Sequence, residues 1–292
     1  SNRVLDNIDI ISSNNRILTE LDFIFAKAKY ASTINGIRPE VNKDNSFDII
    51  QGRHPLINPK DVVPSDVYLG KDFSTLMITG PNTGGKTVTL KTVGLLHLMA
   101  LSGVLIPARD ASTVGFYTQI FADIGDEQSI EQSLSTFSSH MTNIVRILEK
   151  ADSNSLVLFD EIGSGTDPTE GAALAKAVID TLKDRGAKVI ATTHYSELKA
   201  YALKTTGIEN ASVEFDIETL RPTYRLLIGV AGKSNAFEIS RRIGLKDDII
   251  EKAKGNIEED SLEFENLIKE LQEKSILVNK ELRDTRVLKD QA

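Results

Sequence analysis

The sequence contains no cysteine, which excludes disulfide bridges and any zinc or iron–sulfur site held by thiolates, and agrees with a reducing compartment. Histidine is scarce: His54, His97, His140 and His194 stand far apart, without the spacing of a metal-ligand cluster. No apolar run is long enough to span a bilayer. The longest, residues 93–108, is interrupted by His97 and Pro107 and reads as a buried helix running into a short strand. No secretory signal opens the sequence, and no internal repeat or low-complexity tract interrupts it. Positive charge is in deficit: 34 Lys and Arg stand against 42 Asp and Glu, for a net charge of −8. That balance argues against a broad basic groove for nucleic acid, while leaving room for a local basic stripe.

What is present reads as a globular protein. Hydrophobic content of 40% with 26% charged residues is ordinary, and 292 residues fit one large core with appendages. Residues 1–40 carry Ile10, Ile17, Leu21, Ile24, Ala28 and Ala31 near a helical period. Arg38-Pro39 and the polar run 42–46 then break it. From Phe47 to Ile228 short β-prone runs (47–50, 75–79, 120–124, 155–160, 188–193, 212–215 and 224–228) alternate with helical stretches. The alternation predicts an α/β fold with a layered, mostly parallel sheet, flanked by helical segments. Three units are expected: a helical region over 1–45, the α/β unit over 46–255, and a helical linker over 256–292. In the linker, Phe264, Ile268, Leu271, Ser275, Val278 and Leu282 alternate four and three apart. Either a coiled coil or a solvated single helix satisfies that spacing. One helix is fully punctuated, with Asp167 as N-cap, Pro168 in the first turn, Glu170 three positions after the cap, and Gly186 as the stop.

Four segments in fixed order carry the chemistry. Gly80-Pro81-Asn82-Thr83-Gly84-Gly85-Lys86-Thr87 fits the phosphate-loop pattern in full. Its glycines let successive N–H groups curl toward an anion, and the helix that follows aims its positive end at the same place. The context it requires is present: an apolar strand at 75–79 and a helix over 87–100 with Val88, Leu95, Leu98 and Met99 available for burial. Lys86 is placed to meet the β- and γ-phosphates, and the Thr87 hydroxyl to ligate Mg²⁺. Leu156 to Phe159 is an unbroken apolar strand that delivers Asp160-Glu161 at its carboxyl end. There an aspartate holds Mg²⁺ and an adjacent glutamate orients or deprotonates water. His194 follows the strand 188–193, in reach of a γ-phosphate. Ser135, in Leu134-Ser135-Thr136-Phe137, precedes an amphipathic helix containing Met141, Ile144, Val145, Ile147 and Leu148, where a serine binds anions well.

Together these segments resemble the ATP-binding-cassette superfamily, and in detail the MutS family. Gly-Pro-Asn-x-Gly-Gly-Lys-Thr, Ser-Thr-Phe, Asp-Glu-x-Gly-x-Gly-Thr and Thr-His-Tyr are similar to that family's forms of the motifs. The runs 132–141, 165–175 and 193–199 resemble the bacterial MutS-two branch in particular. The resemblance implies that Lys86, Thr87, Asp160, Glu161 and His194 act in cis on ATP and Mg²⁺. Ser135 would touch the γ-phosphate held by a partner subunit of a homodimer, and residues 163–167 would form the loop between subunits. Arg53-His54-Pro55 resembles the segment before the adenine pocket, with His54 and Val62 as its candidate lining. Val62-Val63-Pro64 stands where the repair proteins usually offer a phenylalanine to stack on adenine, so loose discrimination between ATP and GTP is expected. Gly232-Lys233-Ser234-Asn235 resembles a segment near the nucleotide and dimer interface.

The resemblance further implies a cytoplasmic ATP hydrolase whose closure drives lever arms, of which residues 1–40 would be the root. Its target would be branched DNA, with suppression of recombination, or stalled and collided ribosomes reached through rRNA. Endonuclease action would belong to a small MutS-related domain beyond the linker, and no membrane is involved. Two rivals remain: a nucleotide-gated scaffold that hardly hydrolyses, and a small-molecule kinase, which would need an Arg-rich lid and an acceptor site.

Overall fold

The computed structural model of this chain describes residues 2–80, 84–125, 136–216, 219, 221–232 and 236–256. Helices α1 (Asn2–Leu5) and α2 (Ile8–Thr33) lead into strands β1 (Glu40–Asn42), β2 (Phe47–Gly52), β3 (Ser65–Leu69) and β4 (Thr75–Thr79). Helix α3 (Lys86–Leu101) follows, then β5 (Thr113–Gly115), β6 (Gln119–Asp123), α4 (Thr136–Lys150) and β7 (Ser155–Phe159). The rest comprises α5 (Pro168–Asp184), β8 (Lys188–Thr193), α6 (Ser196–Lys204), β9 (Ile208–Asp216), β10 (Arg221–Ile228), α7 (Ala236–Ile243) and α8 (Asp247–Lys254). Among the described residues no helix is long and apolar enough to cross a membrane.

The central sheet has six strands in the order β10-β9-β4-β8-β7-β6, parallel throughout except for the antiparallel edge strand β10. Strands β4 and β7 are buried at every position and β8 at all but its first, which is why they read as unbroken apolar runs. Alternate residues feed two cores. Leu76, Ile78, Leu156, Leu158 and Ile190 pack with Leu90, Val93 and Leu96 of α3 and with Phe47, Ile49, Val67 and Leu69 of a second sheet. Met77, Val157, Phe159, Val189 and Ala191 point the other way, onto α4, α5 and α6. The second sheet has the order β1-β5-β2-β3. Parallel pairing brings the carboxyl ends of β4, β6, β7 and β8 to one sheet edge, where Gly80, Asp123, Asp160 and His194 follow or end their strands.

Several local expectations are corrected. The amino-terminal helix stops at Thr33, Ile37 bridges Ile106, and residues 40–42 are a strand, so the helical reading to residue 40 overruns. Val104 to Ile106 makes only that isolated bridge rather than a strand. On α3, Leu98 is exposed and Leu90, Val93 and Leu96 make the contact instead. Of the apolar residues on α2 only Ala31 is buried. Strands β1, β3 and β5 are absent from the sequence pattern; each is short or half exposed, so neither period nor an apolar run marks it. Helix α5 starts and stops as its punctuation predicts. The Asp167 carboxylate accepts the N–H groups of Thr169 and Glu170, and Gly186 (φ +80°) ends the helix with paired bonds from Gly186 and Ala187 to Lys183 and Leu182. The heptad-like run 264–282 lies outside the described residues.

His97, on the buried face of α3, belongs to the core rather than to any site. Its Nδ1–H donates to the Val93 carbonyl at 2.8 Å, and its ring stands edge-on to Phe47 at 4.6 Å. Complete burial, only partly offset by that bond, pushes its pKa down to about 4 from 6.5. The unfolded chain therefore binds a proton that the folded one refuses, so stability is full above pH 6.5 and falls as pH drops toward 4. The loss amounts to about 3 kcal/mol over that window. Urea unfolding of wild type and His97→Leu between about pH 7.5 and 4.5 should show a steeper decline for wild type; parallel declines would refute the assignment.

Candidate nucleotide site

The phosphate loop leaves the buried end of β4 with Gly80 at φ +133° and enters α3 from Gly85 at φ +96°, both in the left-handed half of backbone space. Pro81, Asn82 and Thr83 lie outside the described residues; Gly84 is buried. Thr79 ties the loop down, its hydroxyl donating to Ala211 O at 3.1 Å and accepting the Gly232 N–H at 2.5 Å. A Cβ on Gly232 would come within 2.8 Å of the Thr79 carbonyl, so only glycine fits there. Lys86, the first residue of α3, is 1% exposed and donates from Nζ to Gly80 O at 2.6 Å across the loop. Burial pulls its pKa down, and the carboxylates of Glu161 and Asp160 oppose that shift.

Asp160 and Glu161 follow β7. The Thr87 hydroxyl donates to Asp160 Oδ2 at 2.7 Å, and the Asp160 N–H bonds the Asp123 carbonyl at 2.8 Å. Two hard oxygen donors thus sit side by side at the mouth of the phosphate loop. No group of three or more His, Cys, Asp or Glu suited to a metal occurs among the described residues. A site of one carboxylate and one hydroxyl, completed by phosphate oxygens and water, fits Mg²⁺ rather than a metal caged wholly by protein. Glu161 holds a left-handed backbone, φ +50°, rare for a residue with a side chain.

Beyond β8, His194 is exposed and its ring lies 4.4 Å from that of Tyr195. The Tyr195 hydroxyl donates to Gly163 O at 3.1 Å. That bond anchors the 163–167 loop, whose Gly163 backbone packs directly against Gly171 in the first turn of α5. Ser135 lies outside the described residues, immediately before α4.

A cavity of about 230 Å³ opens beside Gly85, lined by Ile49, His54, Ile57, Val62, Val63, Val88 and Tyr224 among others. Burial, reinforced by Lys91, lowers the His54 pKa. The volume and the apolar walls suit a flat heterocycle.

The MutS domain V family profile matches residues 76–282. The chain belongs to the MutS family. Its curated relatives include proteins named endonuclease MutS2 from Clostridium beijerinckii (68% identical over 290 residues), Clostridium acetobutylicum (65% over 289) and Clostridium kluyveri (64% over 292). These alignments cover 99–100% of this chain and 37% of each relative, so the chain spans little more than a third of their length. They place it in the MutS2 branch, and its layered sheet is the ATP-binding-cassette type of α/β fold.

Within this MutS fold the residues singled out from the sequence divide into four groups. Gly80, Gly84, Gly85, Lys86, Thr87, Asp160 and Glu161 converge on one sheet edge, and His54 and Val62 meet in the adjoining cavity. His194 stands at the same edge but among the described residues has only Tyr195 as a ring partner. Pro81, Asn82, Thr83, Ser135 and residues 233–235 lie outside the described residues.

Two features escape a reading of the sequence. Tyr224 supplies the aromatic wall that Val62-Val63-Pro64 lacks. It sits at a β-bulge with φ +58°, and its Cδ1 lies 2.6 Å from where a Gly85 Cβ would be. In sequence it reads as a strand start and gives no sign of that turn. The other is a cluster on β6 and α4: Asp123 accepts His140 Nδ1–H at 2.8 Å and Asn143 Nδ2–H at 3.0 Å. The cluster shares a narrow cleft with Glu161, Gly163 and Ser164. Asp123 and His140 stand 17 positions apart on separate elements, a spacing with no chemical signature, so only the tertiary arrangement reveals the pair.

Proposed function

We propose that the chain is the Mg²⁺-dependent ATPase unit of a dimeric MutS2-type protein, with the unit expected over residues 46–255 extended back to β1 at Glu40, helices α1 and α2 before it and a helical linker over 256–292 after it. One observation carries the reading: the Thr87 hydroxyl and the Asp160 carboxylate meet at 2.7 Å, beside Lys86 and next to Glu161. A simple phosphate binder has no use for the second carboxylate. In this reading the loop from Gly80 to Gly85 wraps the phosphates, with Pro81, Asn82 and Thr83 between. Lys86 leaves Gly80 O to meet the β- and γ-oxygens, and the base enters the cavity between Val62 and Tyr224. When bound by Thr87 and Asp160, Mg²⁺ supplies charge neutralisation at the phosphates. Glu161 orients a water toward the γ-phosphorus and takes its proton, and His194 contacts the γ-phosphate from the end of β8.

Ser135 completes the site from a second subunit, and residues 163–167 carry the state of one site to the other. Mixing a Ser135→Arg variant with a Lys86→Ala variant tests this. Each is inactive alone, and heterodimers regain one competent site. Heterodimers that form across a range of protein concentrations without recovering turnover would sink the composite site. The closing motion acts, in the cytoplasm, on branched DNA or on stalled ribosomes through parts of the protein other than this acidic unit. Any nuclease chemistry, as in the relatives' name, belongs in this reading to the rest of the protein. Crosslinking in cells, with recovery of ribosomal RNA or of DNA, decides between the two targets.

A further inference from the structure

Thr192, the penultimate residue of β8, makes three hydrogen bonds to the turn that carries both carboxylates. Its hydroxyl accepts the Glu161 N–H at 2.8 Å and donates to Asp160 Oδ1 at 2.6 Å. Its carbonyl accepts the Ile162 N–H at 3.1 Å. The side chain is fully buried, at 0% exposure. A hydroxyl has one proton and can accept as well, so its orientation here is determined: proton to the carboxylate, lone pair to the amide. The neighbouring Thr193 does something different, accepting the Tyr195 N–H at 3.1 Å.

Asp160 is consequently held from both sides, Oδ1 by Thr192 and Oδ2 by Thr87. Its carboxylate plane cannot rotate without losing one of these bonds. The left-handed backbone at Glu161, φ +50°, is held by the same hydroxyl through the amide. Such a conformation persists in a residue with a side chain only where its surroundings over-determine it. We propose that Thr192 is a positioning residue for hydrolysis, orienting the metal-binding carboxylate and the water-activating glutamate together through one hydroxyl. The proposal rests on the ATPase reading of the site. Thr192 acts through Asp160 and Glu161.

Thr192→Val keeps the shape and removes the hydroxyl, whereas Thr192→Ser keeps the hydroxyl and removes the methyl group. In the valine variant turnover at saturating ATP should fall about 10- to 100-fold, and the Mg²⁺ concentration that half-saturates nucleotide binding should rise by a similar factor. Calorimetric affinity for ATP in EDTA should stay unchanged, because the phosphate loop is untouched. Hydrogen exchange measured by NMR should accelerate at the Glu161 amide. The serine variant should recover wild-type behaviour in all of these, and melting temperatures of both variants identify any loss of folding. A valine variant with wild-type Mg²⁺ dependence and amide protection would overturn the proposal. So would a serine variant as defective as the valine one, which would assign the role to the methyl group. If wild type itself fails to turn over ATP, the ATPase reading falls, and the Mg²⁺ and exchange readouts still decide the part played by Thr192.

Discussion

Lys86→Ala is expected to abolish tight ATP binding. The lysine is 1% exposed at the root of α3 and already crosses the loop mouth to Gly80 O, so its ammonium lies where phosphate oxygens would arrive. Removing it leaves the triphosphate charge in a partly dry site without its main counter-charge. Breaking such a buried pair costs about 3–5 kcal/mol, a loss of roughly 100-fold or more in affinity. Folding should survive, because burial already disfavours the lysine's charge and alanine relieves that strain. Calorimetric titration reads the outcome, and unchanged affinity in a folded variant would remove the phosphate loop as the nucleotide site.

Glu161→Gln should separate binding from chemistry. Glutamine keeps the length of the side chain and the backbone bond to Thr192, and Asp160 keeps its contact with Thr87. What disappears is a group able to take a proton from water, together with one negative charge beside the phosphates. Affinity for ATP should therefore hold or rise, while turnover falls by about 10²- to 10⁴-fold. Because the lost interaction belongs to the transition state, kcat should drop without a matching rise in KM. Wild-type turnover would mean that another group activates the water. Tight binding with negligible turnover in wild type and variant alike would favour a nucleotide-gated scaffold.

The phosphate loop is legible because its chemistry is contiguous: a curled backbone, a lysine and a threonine within one short segment need only a strand before and a helix after. Asp160 and Glu161 are legible because a fully buried strand must be apolar, so carboxylates at its end stand out. Strands β1, β3 and β5 are not, since a very short or half-exposed strand leaves neither an apolar run nor an alternation. The apolar period on α2 correctly marks a helix, yet it cannot say that the described residues cover only Ala31.

By itself, then, the sequence determined the α/β class, through its alternation of strands and helices, and the family, through motifs written in consecutive positions; the residues proposed to meet phosphate and Mg²⁺ are named from those same motifs. The tertiary structure alone decided which side chains stand behind them. Thr192 reaches Asp160 because β8 lies beside β7, and Asp123 reaches His140 because α4 packs back along β6. Tyr224 walls the cavity because β10 bulges where it passes Gly85. Neighbour order in a parallel sheet is set by crossover connections that bury both faces, and residue spacing along the chain carries no record of it.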